Sequence, residues 1–124
     1  MRAILDAWNL GDVEGVLPFI ADDAVLLPAR AQLEGIEYRG HDGVRQLDRD
    51  LSEEWEGLRV EPLEIREAGD HVVARTTLIA RGRASGVDVE VPLGWLIEMR
   101  GGKVVHSRTF SDPDEAYRAA GLDP

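Results

Sequence analysis

The chain contains no cysteine, which excludes disulfide staples, thiolate nucleophiles and cysteine-held zinc or iron–sulfur centres. Positive charge is also scarce: 14 Lys and Arg stand against 24 Asp and Glu, a formal charge of −10. Nucleic-acid phosphates and anionic lipids repel such a surface, so no nucleic acid and no membrane is expected as a partner. No uncharged apolar run nears the ~20 residues that a membrane span requires. Asp6 interrupts the opening apolar stretch too early for a signal-peptide core. Internal repeats, low-complexity tracts and linkers are missing. The expectation is one cytoplasmic domain over residues 1–124. A chain of this length buries about two-thirds of its extended surface, enough for a core with room for a modest cavity.

The apolar pattern begins with a period near 3.6. Ile4, Leu5 and Trp8 share one helical face, and Asn9-Leu10-Gly11 ends that helix. Asp12 caps a second helix with Val13, Val16, Leu17 and Ile20 on its apolar side, and Pro18 tightens its last turn. Ala24 to Leu27 reads as a short strand ended by Pro28, and residues 29–40 read as loop with a weak strand around Ile36 to Arg39. A third helix follows Asp42, with Val44, Leu47, Leu51 and Trp55 on one stripe and Gly57 at its end. From Leu58 the period becomes 2, predicting four strands: Leu58–Glu67 with a bulge at Pro62, His71 to about Ala84, Val89–Arg100 and Lys103–Ser111. Asp112, Pro113, Glu115 and Gly121 mark a short closing helix. Helices, a strand, a helix and then an antiparallel meander predict an α+β fold.

Several stretches carry a family resemblance. They are Ala7-Trp8-Asn9-Leu10-Gly11-Asp12-Val13-Glu14-Gly15-Val16-Leu17, Phe19-Ile20-Ala21-Asp22-Asp23-Ala24, Tyr38-Arg39-Gly40-His41-Asp42-Gly43-Val44-Arg45, Arg100-Gly101-Gly102-Lys103-Val104-Val105 and the closing segment from Asp112 to Leu122. In these the chain resembles the nuclear transport factor 2-like superfamily, in its SnoaL-like and ketosteroid-isomerase-like branch. The resemblance implies a cone-shaped, curved, mostly antiparallel sheet wrapped around N-terminal helices, the cystatin-like roll. It also implies a pocket between helices and sheet, and a homodimer formed through the outer sheet face. The steroid isomerases' Asp base falls on Pro28, and their oxyanion-hole Tyr and Asp fall on Ile4 and Gly94. The epoxide hydrolases' Arg falls on Arg75, but their two Asp fall on Thr77 and Thr109. No pair matches the His and Asp of the polyketide cyclases.

Strand alternation combined with that alignment sorts the sheet into two expected faces. Arg75, Thr77, Ile79, Gly94, Leu96, Glu98, Ser107, Thr109 and Ser111 are expected to face the pocket, joined by Trp8, Phe19, Leu47, Leu51 and Trp55 from the helices. The expected ligand-binding set is Trp8, Phe19, Leu51, Trp55, Arg75, Thr77, Leu96, Ser107 and Thr109. Glu98 and Arg75 are the candidate catalytic pair, one to move a proton and one to hold an oxygen. The bland alternatives are a strand-end charge for Glu98 and a rim or ion-paired side chain for Arg75. Leu78, Val91, Leu93, Trp95, Ile97 and Phe110 are expected on the outer face, where so much apolar surface calls for a dimer partner. His41, His71 and His106 lack ligand spacing, so no metal and no cofactor is expected. Three readings follow: a binding protein for a small hydrophobic organic ligand; an isomerase, cyclase or dehydratase acting on a hydrophobic carbonyl compound; or, if Trp8, Phe19 and Trp55 fill the cone, a purely structural dimerisation domain.

Overall fold

A computed structural model of the chain describes residues 1–124, apart from the side chain of Arg30. Helix α1 spans Arg2–Asn9 and α2 spans Val13–Val16, where the Asp12 carboxylate accepts the Gly15 N–H at 3.0 Å. Pro18 turns Leu17–Phe19 into a 3₁₀ turn, and strand β1 starts at Ile20 and runs to Leu27. The second helix is thus shorter, and the first strand longer, than the apolar spacing predicts. Ala29–Leu33 forms a short helix, α3, where loop was expected, and Pro28 sits at its N-cap. After the two-residue strand β2, Tyr38–Arg39, helix α4 covers Gly40–Glu54. Gly40 is required at this junction: its φ is +63°, and a Cβ there would lie 2.6 Å from the Asp22 carbonyl oxygen.

The remaining strands are β3 (Trp55–Ala68), β4 (His71–Gly82), β5 (Asp88–Arg100) and β6 (Lys103–Phe110), followed by helix α5, Pro113–Ala119. One six-stranded sheet has the order β2-β1-β6-β5-β4-β3, and only β1 with β6 is parallel. Register shifts in β3, including the expected one beside Pro62, let the sheet bend. The result is the expected α+β architecture, a curved sheet open at both edges with helices on its concave side.

A further irregularity decides which side chains face those helices. A plain two-residue turn at Gly101-Gly102, pairing Arg100 with Lys103, would set Gly94 opposite Thr109. Instead the register slips between Met99–Val104 and Glu98–His106, leaving Val105 as an extra residue in β6. Gly94 therefore pairs with Phe110, and Trp95 pairs with Thr109. Because a sheet's side chains alternate, one inserted residue exchanges the faces of β5 relative to β6. The expectation that Arg75, Thr77, Leu96 and Glu98 share a face with Ser107 and Thr109 is corrected by this bulge. Leu78, Leu93, Trp95 and Ile97, expected outside as a dimer face, line the concave side instead.

The convex side is partly covered by α5. Its Ala116 and Tyr117 pack with Val73 and Phe110, and Leu96 borders that cluster. Phe110 is thus on the outer face as expected, but covered by the chain's own helix. Val91, also expected outside, pairs with Leu78 and lies two residues from Leu93, so it shares their concave side and is exposed there. The helix approaches the sheet closely over Gly94, where a Cβ would meet Pro113 Cα at 2.7 Å and Ala116 Cβ at 2.9 Å. Gly94→Ala must therefore push α5 away. The expected result is a loss of about 1–3 kcal/mol from overpacking, read as a fall of several degrees in thermal unfolding midpoint. An unchanged midpoint would show that α5 does not dock here.

Candidate functional site

Between the concave sheet and helices α1, α2 and α4 lies a cavity of about 340 Å³. Each wall follows from an element's periodicity. Helix α1 contributes Met1, Ile4, Leu5 and Trp8, and helix α4 contributes Val44, Leu47 and Leu51, both at helical spacing. Strands β3 to β5 add Leu58, Val60, Leu78, Leu93, Trp95 and Ile97, two residues apart along each strand. Trp55 stands where α4 gives way to β3. Ser107, Thr109 and Ser111 form a polar strip along β6 and just beyond it. No Asp, Glu, His, Lys, Arg or Tyr lines this cavity among the described residues.

The polar groups within the wall are mostly satisfied by one another. Thr76, fully buried, donates its hydroxyl to the Leu93 carbonyl at 2.9 Å and accepts the Trp95 indole N–H at 2.9 Å. The indole's one donor is thereby used inside the wall, and its ring offers the cavity only apolar surface. Thr109 Oγ1 accepts the Ala29 N–H at 2.7 Å. Gln32 ties α3 to the same region, donating to the Leu27 and Thr109 carbonyls. Asn9 fixes α1 to β3: its amide donates to the Val60 carbonyl and accepts the Val60 N–H, at 2.9 and 2.8 Å. The Ser107 hydroxyl has no hydrogen-bond partner among the described residues.

Of the residues read from the sequence as ligand contacts, Trp8, Leu51, Trp55, Ser107 and Thr109 border the cavity. Phe19 sits on the 3₁₀ turn and does not. Arg75, Thr77, Leu96 and Glu98 are on the opposite face. Arg75 donates to Asp114 of α5 at 2.6 Å and lies 5.1 Å over the Tyr117 ring. Glu98 is bracketed by Arg100 at 3.6 Å and His71 at 3.9 Å. It stands near a shallow second hollow of about 290 Å³ between the turns at Gly69-Asp70 and Gly101-Gly102. No group of three or more potential ligands is placed to hold a metal among the described residues. The residues that sequence reasoning left out of the cavity, Leu78, Leu93, Trp95 and Ile97, had one available signal. The stripe Pro113, Ala116, Tyr117 and Ala120 needs a sheet face to cover, and Gly94 is the small residue that admits it.

Neither tyrosine lines the cavity, and both have structural roles. Tyr38 donates to Asp50 at 2.6 Å, and this bond, aided by burial, pushes its phenol up to about 12 while holding the Asp50 carboxyl down. Burial, and then a 2.5 Å bond to Glu64, raises the Tyr117 phenol as well. Both groups ionise more readily in the unfolded chain. Their contribution to stability is complete below pH ~10 and is lost as pH rises through the folded values. A phenolate absorbance titration of the native protein should therefore show no step near the ordinary value, and unfolding in denaturant should restore it for both residues. Tyr38→Phe should leave a single, Tyr117, transition. A native step of one tyrosine near pH ~10 would contradict these bonds.

The overall fold is shared with known structures. A hypothetical protein with a ketosteroid isomerase-like fold from Catenulispora acidiphila, solved in complex with trimethylamine, is 17% identical with a TM-score of 0.80, covering 98% of this chain and 91% of that one. TerC, co-crystallised with polyporic acid, is 21% identical with a TM-score of 0.80, covering 97% and 94%. A putative SnoaL-like polyketide cyclase from Jannaschia is 20% identical with a TM-score of 0.77, covering 99% and 90%. At such identities these likenesses establish the fold. Among curated proteins nothing matches the chain. The family model described as the SnoaL-like domain matches residues 1–107, and the chain belongs to that family.

Proposed function

We propose that the protein binds a small, largely apolar organic molecule in the cavity between α1, α4 and the concave sheet. The observation that carries this reading is the cavity itself: about 340 Å³, walled by aliphatic side chains and three indoles, with one polar strip. That volume lies within the range of roughly 300–1,000 Å³ usual for small-molecule sites. A body placed among Trp8, Trp55 and Trp95 leaves water by the ordinary hydrophobic effect. Binding is favoured over turnover because the two groups best suited to proton transfer and oxyanion contact, Glu98 and Arg75, stand on the convex face. An isomerase- or cyclase-type reaction needs a base within hydrogen-bond reach of its substrate, and the described cavity wall supplies no ionisable side chain. The acidic composition also argues against anionic ligands.

The test uses N-phenyl-1-naphthylamine, an uncharged dye that brightens on leaving water. Saturable brightening at one dye per chain is expected. Leu51→Trp, which fills the cavity from α4, should weaken dye binding at least tenfold while the protein stays folded. Arg75→Ala, altering the opposite face, should leave the affinity within twofold. No saturable signal from a folded protein, or equal effects of the two substitutions, would overturn the reading.

A further inference from the structure

Resting on that reading, the distribution of hydrogen-bond donors in the wall assigns a more specific ligand chemistry. Polar groups around the cavity fall into two kinds. The Trp95 indole N–H and the Thr76 hydroxyl are consumed in a chain that ends on the Leu93 carbonyl. The hydroxyls of the β6 strip are not. Ser107 is only 9% exposed, yet its hydroxyl has no partner among the described residues. Since no side-chain oxygen of the described residues is both sealed and unpaired, that hydroxyl opens onto the cavity it lines. Thr109 receives the Ala29 N–H at 2.7 Å, which occupies one lone pair and leaves its own hydrogen undirected. Residues two apart on a strand present side chains to one face about 6.5 Å apart, so Ser107 and Thr109 form neighbouring donors in an otherwise apolar chamber.

We propose that Ser107 and Thr109 select a ligand that carries an uncharged oxygen acceptor, such as a ketone, on a flat ring system. A buried hydroxyl hydrogen without an acceptor is unfavourable, and a ligand oxygen supplies what the wall lacks. Charge is selected against from both sides. Among the described residues no Lys or Arg side chain lines the wall to hold a carboxylate, and no carboxylate lines it to hold an ammonium group. The ring body occupies the space between the indoles, and the acceptor is directed at β6. Ser111, next along the strip but exposed, faces the solvent end.

Displacement of the bound naphthylamine dye by three probes tests this: 2-acetylnaphthalene, its hydrocarbon counterpart 2-isopropylnaphthalene, and 2-naphthoate. The ketone is expected to bind at least about a hundredfold more tightly than the carboxylate. Ser107→Ala and Thr109→Val should each weaken the ketone about three- to tenfold and leave the hydrocarbon within twofold. Thr109→Ser, which keeps the hydroxyl, should retain ketone affinity. If the substitutions weaken ketone and hydrocarbon alike, or if naphthoate competes as well as the ketone, the donor assignment fails while the apolar-cavity reading stands. If neither dye nor probe binds the folded protein, both fall.

Discussion

The extra residue that β6 carries at Val105 is the constraint on which the remaining arrangement depends. Alternation along a strand has a period of two, so inserting one residue exchanges every side chain beyond it between faces. With the slip in place, Trp95 and Ile97 join Ser107 and Thr109 on the concave side. Gly94 and Leu96 join Phe110 on the convex side, where α5 can lie against them. Without it, the indole and its aliphatic neighbours would face the closing helix, and the Arg75–Gly94–Glu98 face would look into the hollow. The cavity's apolar character and the helix's docking site are two results of a single backbone irregularity.

That dependence explains what could be read from the residues and what could not. The helical spacing of Ile4, Leu5 and Trp8, and of Val44, Leu47 and Leu51, points those residues at the core, and the structure places them on the cavity wall. The change of period at Leu58 and the turn residues at Gly69, Gly86 and Gly101-Gly102 delimit the meander within a few positions. The expected turn between Ala84 and Val89 would set Arg75 opposite Glu98, whereas it lies opposite Gly94. The difference of four residues is even, so each side chain of β4 and β5 keeps its face relative to the other strand. The join between β5 and β6 is where the facing changes. A bulge is a backbone event with no obligatory side chain, and Lys103-Val104-Val105-His106 carries no mark of one. The same limit applies to α3: Ala29-Arg30-Ala31-Gln32-Leu33 is composed of good helix formers, but six residues between Pro28 and Gly35 give too short a pattern to separate helix from loop.

The site reverses the usual division of labour in an acidic chain. Its charged side chains are spent on holding elements together outside the hollow. Arg75 joins β4 to α5 through Asp114, Tyr117 joins α5 to β3 through Glu64, and Arg45 of α4 joins α2 through Glu14. Among the described residues no ionisable side chain lines the hollow. On the proposed reading, a ligand there is recognised by shape, desolvation and a few hydroxyls. A putative SnoaL-like polyketide cyclase and a hypothetical protein of ketosteroid isomerase-like fold share this architecture, and one architecture can carry many different cavity linings.

The attachment of Asn9 to Val60 has a consequence beyond positioning α1. Strand β3 is the last in the sheet, and its outward backbone groups would otherwise run uninterrupted along a long exposed border. A side-chain amide that takes both the N–H and the C=O of one residue imitates a rung of a neighbouring strand and closes that rung to any other. With Pro62 two residues further on lacking an N–H, and the slip at Leu63 bending the chain beyond it, the border is broken near its middle. Such a border is a poor template for an incoming strand from another molecule, which protects a concentrated solution of this protein from edge-to-edge association.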